Sequence, residues 1–355
     1  MSKNDIINQG AALSAGKDVA LKAGNNIDIA SVAAEKHVAV TYPKSSASID
    51  TVTHQQSVIG GSNITIDAGQ DINLSGALTA AQEKTTITAG HDVTISAVKD
   101  LDSLDSSVGR RGGSYFNREK TVDETVVGTQ LGGGQDITVQ AGRDITVKGS
   151  GVASETGQVE LTGDSVSISG ETEYHERLHE EHREDVGFLS SKKTDIYDHQ
   201  TLKGVVGSSI SGDSVDITAT GKDITISGSS VVADNDVTLK AQENVDITSQ
   251  EETSSSDYRK KVKKSGRLSG GGLGFTIGKE KQKDTYANQN IEQAGSTIGS
   301  IDGNVTIEAG KDVTALASDI MAGQDISLTG ENVAVESKDN TYNAQEKHEY
   351  KKSGL

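Results

Sequence analysis

Six-residue units of alternating polarity recur along the chain: Gly, a polar residue, Asp or Asn, Val or Ile, a polar residue, then Ile, Val or Leu. They read Gly16-Lys-Asp-Val-Ala-Leu21, Gly24-Asn-Asn-Ile-Asp-Ile29, Gly69-Gln-Asp-Ile-Asn-Leu74, Gly90-His-Asp-Val-Thr-Ile95 and Gly142-Arg-Asp-Ile-Thr-Val147. Within each unit the apolar residues alternate at period two, which predicts a short strand with two side chains turned inward. The Gly and the Asp or Asn supply a turn, because both tolerate positive φ and satisfy turn backbone. Units pair up at Gly16 and Gly24 and at Gly134 and Gly142, and equivalent positions return from Gly69 to Gly90 and from Gly142 to Gly163. Two or three strands per coil of about 21 residues, stacked about 4.8 Å apart, make a solenoid. The pattern therefore predicts an all-β fold, a right-handed parallel β-helix, with the hand taken from the rule for parallel crossovers. Roughly a dozen coils would give a rod on the order of 60 Å long. A helical reading fails, because the units are rich in Val, Ile, Thr, Gly and Asn and lack a 3.6-residue period.

Five excursions interrupt the pattern, at about 41–60, 97–131, 169–211, 249–301 and 337–355, within what reads as a single β-helical unit over 1–355. All eight Tyr, all three Phe and six of the eight His lie in them. Recognition is expected on these segments rather than on the featureless coils. Several re-enter the solenoid through related sequences: Val127-Gly-Thr-Gln-Leu131, Val206-Gly-Ser-Ser-Ile210 and Ala294-Gly-Ser-Thr-Ile298. Lys263-Lys-Ser-Gly266 also aligns with Lys351-Lys-Ser-Gly354. The larger repeat is two coils plus one excursion. The excursions are expected to be β-hairpins that lie against the shaft or project from it. The chain reads as a piece of a longer protein that stops partway into an excursion, with a start Met added and no signal peptide.

Composition narrows the class. Hydrophobic residues are 33%, with no Trp and 40 Gly, too little for the thick core of a compact globule this long but enough for a structure one coil thick. The formal net charge of −18 repels phosphate backbones, so no nucleic-acid partner is expected. The absence of Cys removes disulfides, thiolate metal sites and thiol nucleophiles.

The paired Ala-Gly-x-Asp-(Val or Ile)-Thr-(Ile or Leu) units, as at Ala89–Ile95 and Ala141–Val147, resemble the haemagglutinin repeats of filamentous-haemagglutinin-like exoproteins. The Gly271-Gly-Leu-Gly-Phe-Thr-Ile-Gly278 stretch strengthens the likeness. That family includes adhesins and the stick proteins of contact-dependent growth inhibition, both exported by two-partner secretion. The resemblance implies a secreted, cell-surface shaft segment for cell contact, adhesion or toxin delivery. It also implies a two-partner-secretion transporter during export and a target-cell surface or outer-membrane component as partner. A monomer is expected.

Candidate chemistry is sparse. His175-Glu-Arg-Leu-His179 matches the zinc-protease pattern H-E-x-x-H, with His182 three residues on. On a helix His175 and His179 would share a face and hold zinc, with Glu176 as base. The charged flanks and the lack of a glycine-spaced third ligand oppose that reading, and on a strand the two rings would sit about 13 Å apart. The basic run Arg259, Lys260, Lys261, Lys263, Lys264 with Arg267 and nearby Phe275 is a candidate membrane or partner contact, through anionic headgroups or lipopolysaccharide phosphates; the plainer alternative is a charge cluster that keeps an exposed hairpin soluble. The glycines at 270–274 fail the phosphate-loop spacing, and Gly132-Gly-Gly-Gln-Asp136 occurs once rather than in the tandem array calcium repeats need. No catalytic set and no cofactor are predicted, and the chain is read as a non-enzyme whose excursions are its one route to recognition.

Overall fold

A computed structural model describes residues 1–269 and 275–354; the side chains of Ser269, Phe275 and Thr276 lie outside the described residues. Every regular element among them is a strand. Three parallel sheets of ten, nine and nine strands form the walls of a right-handed β-helix, and each coil contributes one strand to each wall. The first sheet begins with Ile6–Gln9 and Ile27–Ala30, the second with Ala12–Ser14 and Ser57–Gly61, the third with Asp18–Ala23 and Asn63–Ala68. Ile6 pairs with Ile27, Ile72 with Val93, Ile145 with Val166 and Ile224 with Val245, a 21-residue coil each time. The ten-strand wall is about 45 Å long, shorter than the expected 60 Å because the hairpins take up chain that would otherwise form coils.

Register stacks like on like. In the third sheet Leu21, Ile66, Ile87, Val139, Leu161, Ile217, Leu239 and Ile307 form one column along the axis. From Ile66 to Ile307 these side chains are fully buried. Burying each one contributes about 1.5–3 kcal/mol. A one-residue slip would turn the whole set outward, so this column fixes the register. Turns between walls are also stacked: Asp5 Oδ1 accepts the Asn26 N–H, Asn26 Oδ1 that of Asp71, Asp71 Oδ1 that of Asp92, and Asp92 Oδ1 that of Asp144, at 3.0–3.2 Å. The Asn and Asp of the repeat thus serve as coil-to-coil ladder rungs.

The passage from the first sheet to the second alternates between two kinds of corner. In every other coil it is a tight turn through a left-handed residue: Gly10, Gly76, Gly149, Gly228 and Ala317. In the intervening coils the chain leaves as a long hairpin: Val32–Tyr42 with Ser45–Gln55, Val98–Gly109 with Tyr115–Val127, Glu171–Gly187 with Ser190–Val206, and Gln250–Ser269 with Phe275–Ala294. The arm Thr341–Gly354 leaves from the last such position. The first hairpin corrects the expected 41–60 boundary. Its outgoing arm starts at Val32, and Ser57–Gly61 belongs to the solenoid. Hairpin arms and solenoid strands share period two, and the only strong punctuation, Pro43-Lys44, marks the tip rather than the root.

A column of buried hydroxyls closes these corners. Thr129 Oγ1 accepts the Ala77 N–H, Ser150 Oγ that of Thr129, Ser208 Oγ that of Ser150, Ser229 Oγ that of Ser208, and Ser296 Oγ that of Ser229. Each hydroxyl donates in turn to a carbonyl at the end of a first-sheet strand, as Ser208 does to Ser169 at 2.7 Å. This is the physical role of the Gly-Thr and Gly-Ser re-entry sequences.

Candidate functional site: the hairpin sheet

The hairpins do not stand separately. Neighbouring hairpins pair edge to edge, and with the final arm they form a fourth, nine-stranded antiparallel sheet. Val108 pairs with Ser45 of the first hairpin, Asp123 with His175 of the third, and Thr194 with Val262 of the fourth. Each hairpin adds two strands for every two coils, and strand and coil spacings are both about 4.8 Å, so the two lattices stay in step. None of the arms in the first three hairpins shows the alternating buried positions of the solenoid strands. Leu268 is the one buried apolar side chain on the arms among the described residues. The sheet is a fin: it projects from the shaft with both faces wet. The hydrogen bonds that tie it down lie at its roots, as from Gln55 to the Gly10 carbonyl and from Gln250 to that of Gly170.

With little apolar burial, the fin is laced by backbone ladders and charge pairs. Arg118 grips Asp105 through two nitrogens at 2.9 and 2.7 Å, and that hydrogen bonding holds the Asp105 carboxyl below its ordinary value. Partial burial works to raise Glu176, but hydrogen bonds from Lys120 and His199 outweigh it, and the group sits below its ordinary value. Several histidines face a carboxylate across the ladder: His175 faces Asp123 at 3.0 Å, His182 faces Asp195 at 2.5 Å, and His348 faces Asp284 at 2.9 Å. His37 does the same with Asp50.

The H-E-x-x-H segment lies on the strand Glu171–Gly187, not on a helix. His175 and His179 share a face about 13 Å apart, while Glu176 and His182 point to the other face. Glu176 is engaged by Lys120, not poised over a ligated ion. No group of three or more His, Cys, Asp or Glu among the described residues is placed to hold a metal. The strand geometry thereby overturns the zinc reading. On the same face as His175, a shallow depression of about 640 Å³ is lined by Asp123, His175, Gln200, Leu202, Ser254 and Asn288.

The basic run divides in the same way. Arg259, Lys261 and Lys263 face one side, and Lys260 and Lys264 the other. Arg259 stacks over the Tyr197 ring, 5.1 Å from its centroid, and pairs with Asp257. Lys264 binds Glu280 at 3.0 Å. Arg267 lies opposite Ile277 near the fin's outer end. The Phe275 side chain and the glycines at 270–274 lie outside the described residues. What the run did not reveal is that Lys263 meets Lys193 on one side and Lys281 on the other. The signal was there in the aligned Lys-Lys pairs at 192–193, 263–264 and 351–352. At the tip of the third hairpin Val186, Phe188 and Leu189 are exposed, Phe188 by 99%.

The sequence model of the hemagglutinin repeat matches residues 33–109 and 186–352, more than half of the chain. The chain belongs to the hemagglutinin repeat family. Hemagglutinin repeat proteins are secreted and displayed on the bacterial cell surface. The chain is similar to the tRNA nuclease CdiA of Escherichia coli strain STEC_O31, with 37% identity over 98% of this chain and 10% of that protein. It is similar to the toxin CdiA of Yersinia pestis, with 32% identity over 100% of this chain and 11% of the relative. It is also similar to the 16S rRNA endonuclease CdiA of Enterobacter cloacae, with 35% identity over 76% of this chain and 8% of the relative. This hemagglutinin repeat segment thus spans about a tenth of the length of these relatives. No solved structure matches it.

Proposed function

We propose that the chain is a shaft segment of a surface-displayed exoprotein that brings its producer into contact with a target cell and carries a toxin to it. Export runs through a two-partner-secretion transporter. The observation that carries this reading is a division of labour among the relatives. Two of them share this stretch yet are named for different substrates, tRNA in one and 16S rRNA in the other. A segment held in common across differing nucleases supports a mechanical role, with the cleaving group elsewhere in those proteins. A continuously hydrogen-bonded wall ten strands long suits that role. The test replaces the matching stretch of a full-length relative with this chain, and separately deletes it, while surface display is followed by antibody. Replacement should preserve growth inhibition of target cells, and deletion should abolish it at equal display. Inhibition that survives the deletion, or cleavage of tRNA by the isolated chain, would overturn the reading.

A second reading has its own support. The fin holds the aromatic residues and presents Phe188, Val186 and Leu189 to solvent at a tip. An exposed apolar cluster with polar surroundings suits contact with another surface, here a receptor or outer-membrane component. Replacing the third hairpin by a two-residue turn should reduce target-cell binding while leaving the solenoid folded. Unchanged binding rejects it.

A further inference from the structure

The outer half of the fin carries a row of like charges. Lys193 lies opposite Lys263, Lys263 opposite Lys281, and Lys281 opposite Lys351. Four side chains from two hairpins and the final arm thus stand side by side on one face, at the strand spacing of about 4.8 Å. Like charges placed directly opposite one another destabilise a sheet, and a chain of net charge −18 has carboxylates enough to break such a row. Only Lys193 is neutralised, by Glu184 at 2.9 Å. Among the described residues no ion pair or side-chain hydrogen bond engages Lys263, Lys281 or Lys351. Two residues inward on this face the row reads Asp195, Lys261, Lys283 and Glu349, so the carboxylates stand at its two ends. Two residues outward the row reads Ser191, Ser265, Lys279 and Ser353, with the Ser191 and Ser265 hydroxyls hydrogen-bonded at 2.9 Å.

The reverse face supplies the contrast. Its corresponding row reads Lys192, Lys264, Glu280, Lys352, and Glu280 binds Lys264 at 3.0 Å. Mixed charge of that kind is what sheet stability favours, so the unbroken row is peculiar to one face.

We propose that this face binds a linear polysaccharide bearing one anionic group per sugar, laid along the lysine row parallel to the shaft. The strand spacing is close to the length of one sugar ring in an extended chain, so successive anions meet successive ammonium groups. The adjoining Ser hydroxyls suit the sugar hydroxyls, and the face is flat and wet. Single-stranded nucleic acid would call for rings to stack its bases, and among the described residues no aromatic side chain stands in the lysine row. The proposal deepens the second reading above, in which the fin makes the contact.

The test titrates the full chain with linear polygalacturonate, which has a carboxylate on each sugar, against neutral dextran, phosphatidylglycerol vesicles and a single-stranded DNA oligonucleotide. Polygalacturonate should bind at low ionic strength and weaken as salt rises, with dextran inert. The triple variant Lys263→Gln, Lys281→Gln, Lys351→Gln should lose affinity about tenfold or more. Its melting temperature should hold or rise, since repulsion is removed. The reverse-face pair Lys192→Gln, Lys352→Gln should bind as before. Absence of polygalacturonate binding at low salt, equal loss in the reverse-face pair, or tighter binding to vesicles or DNA would overturn the proposal. Loss of cell binding on removal of the third hairpin is a separate readout, so failure here is distinguishable from failure of fin-mediated contact.

Discussion

Ser208 sits at the corner where the third hairpin rejoins the solenoid. Its hydroxyl accepts the Ser150 N–H from the coil below and donates to the Ser169 carbonyl, wholly shielded from water. Removing it leaves the Ser150 N–H without an acceptor, which costs about 1–3 kcal/mol, while the Ser169 carbonyl still accepts the Gly149 N–H at 2.9 Å. Ser208→Ala should therefore lower the urea midpoint of unfolding, whereas the same change at exposed Ser114 should not. The left-handed corners make a paired prediction. Gly149 has φ +56°, and a Cβ there would come within 2.6 Å of the Glu171 Cβ. Ala317 occupies the equivalent corner with φ 47°, the one non-Gly residue in that region among those described. Ala317→Gly should stabilise by about 1 kcal/mol and Gly149→Ala should destabilise by at least as much, both read by thermal melting. These roles were partly legible: Gly before Ser or Thr recurs at each re-entry, but only stacking shows that the hydroxyls form one column.

At the level of elements, the final arm Thr341–Gly354 hangs on pairs with its neighbour. His348 is raised above its ordinary value by its hydrogen bond to Asp284 and then by that to Glu346, and the bond to His348 holds Asp284 below its own. For a raised His, the contribution is full below the ordinary His value and is lost as pH rises through the folded one. For a lowered Asp, it is full above the ordinary carboxylate value and is lost as pH falls through the folded one. The arm should accordingly be held best in mildly acidic solution. Protection factors of its amides, corrected for intrinsic exchange, should be higher at about pH 5.5 than at about pH 8.5, and His348→Gln should erase the difference. The solenoid strands were legible because their period is local. The lateral joining of hairpins was not, because Asp123 meets His175 and Lys193 meets Lys263 only after whole coils intervene. The charge run at 259–264 divides between two faces for a simple reason: on a strand consecutive residues face opposite ways.

At the scale of the molecule, shaft and fin are two lattices that share one spacing. Residues 150–228 run from one glycine corner to the next and comprise two coils and one hairpin. Deleting them should leave a shorter molecule that still melts in one cooperative step. Deleting only 208–228, a single coil, would root the third and fourth hairpins one coil apart, although each needs the width of two strands. That variant should melt earlier and be clipped by protease on its hairpin arms. Equal stability of the two deletions would refute the matched-lattice account.

The alternation of corners turns the chain into a graduated ruler. Its reach comes in whole divisions of about 10 Å, each an addition of two coils with their hairpin. Fractional lengths are disallowed by the fin rather than by the coils. Duplication or loss of a division would reset how far such a molecule extends from a cell while leaving every contact within the remaining divisions as it was.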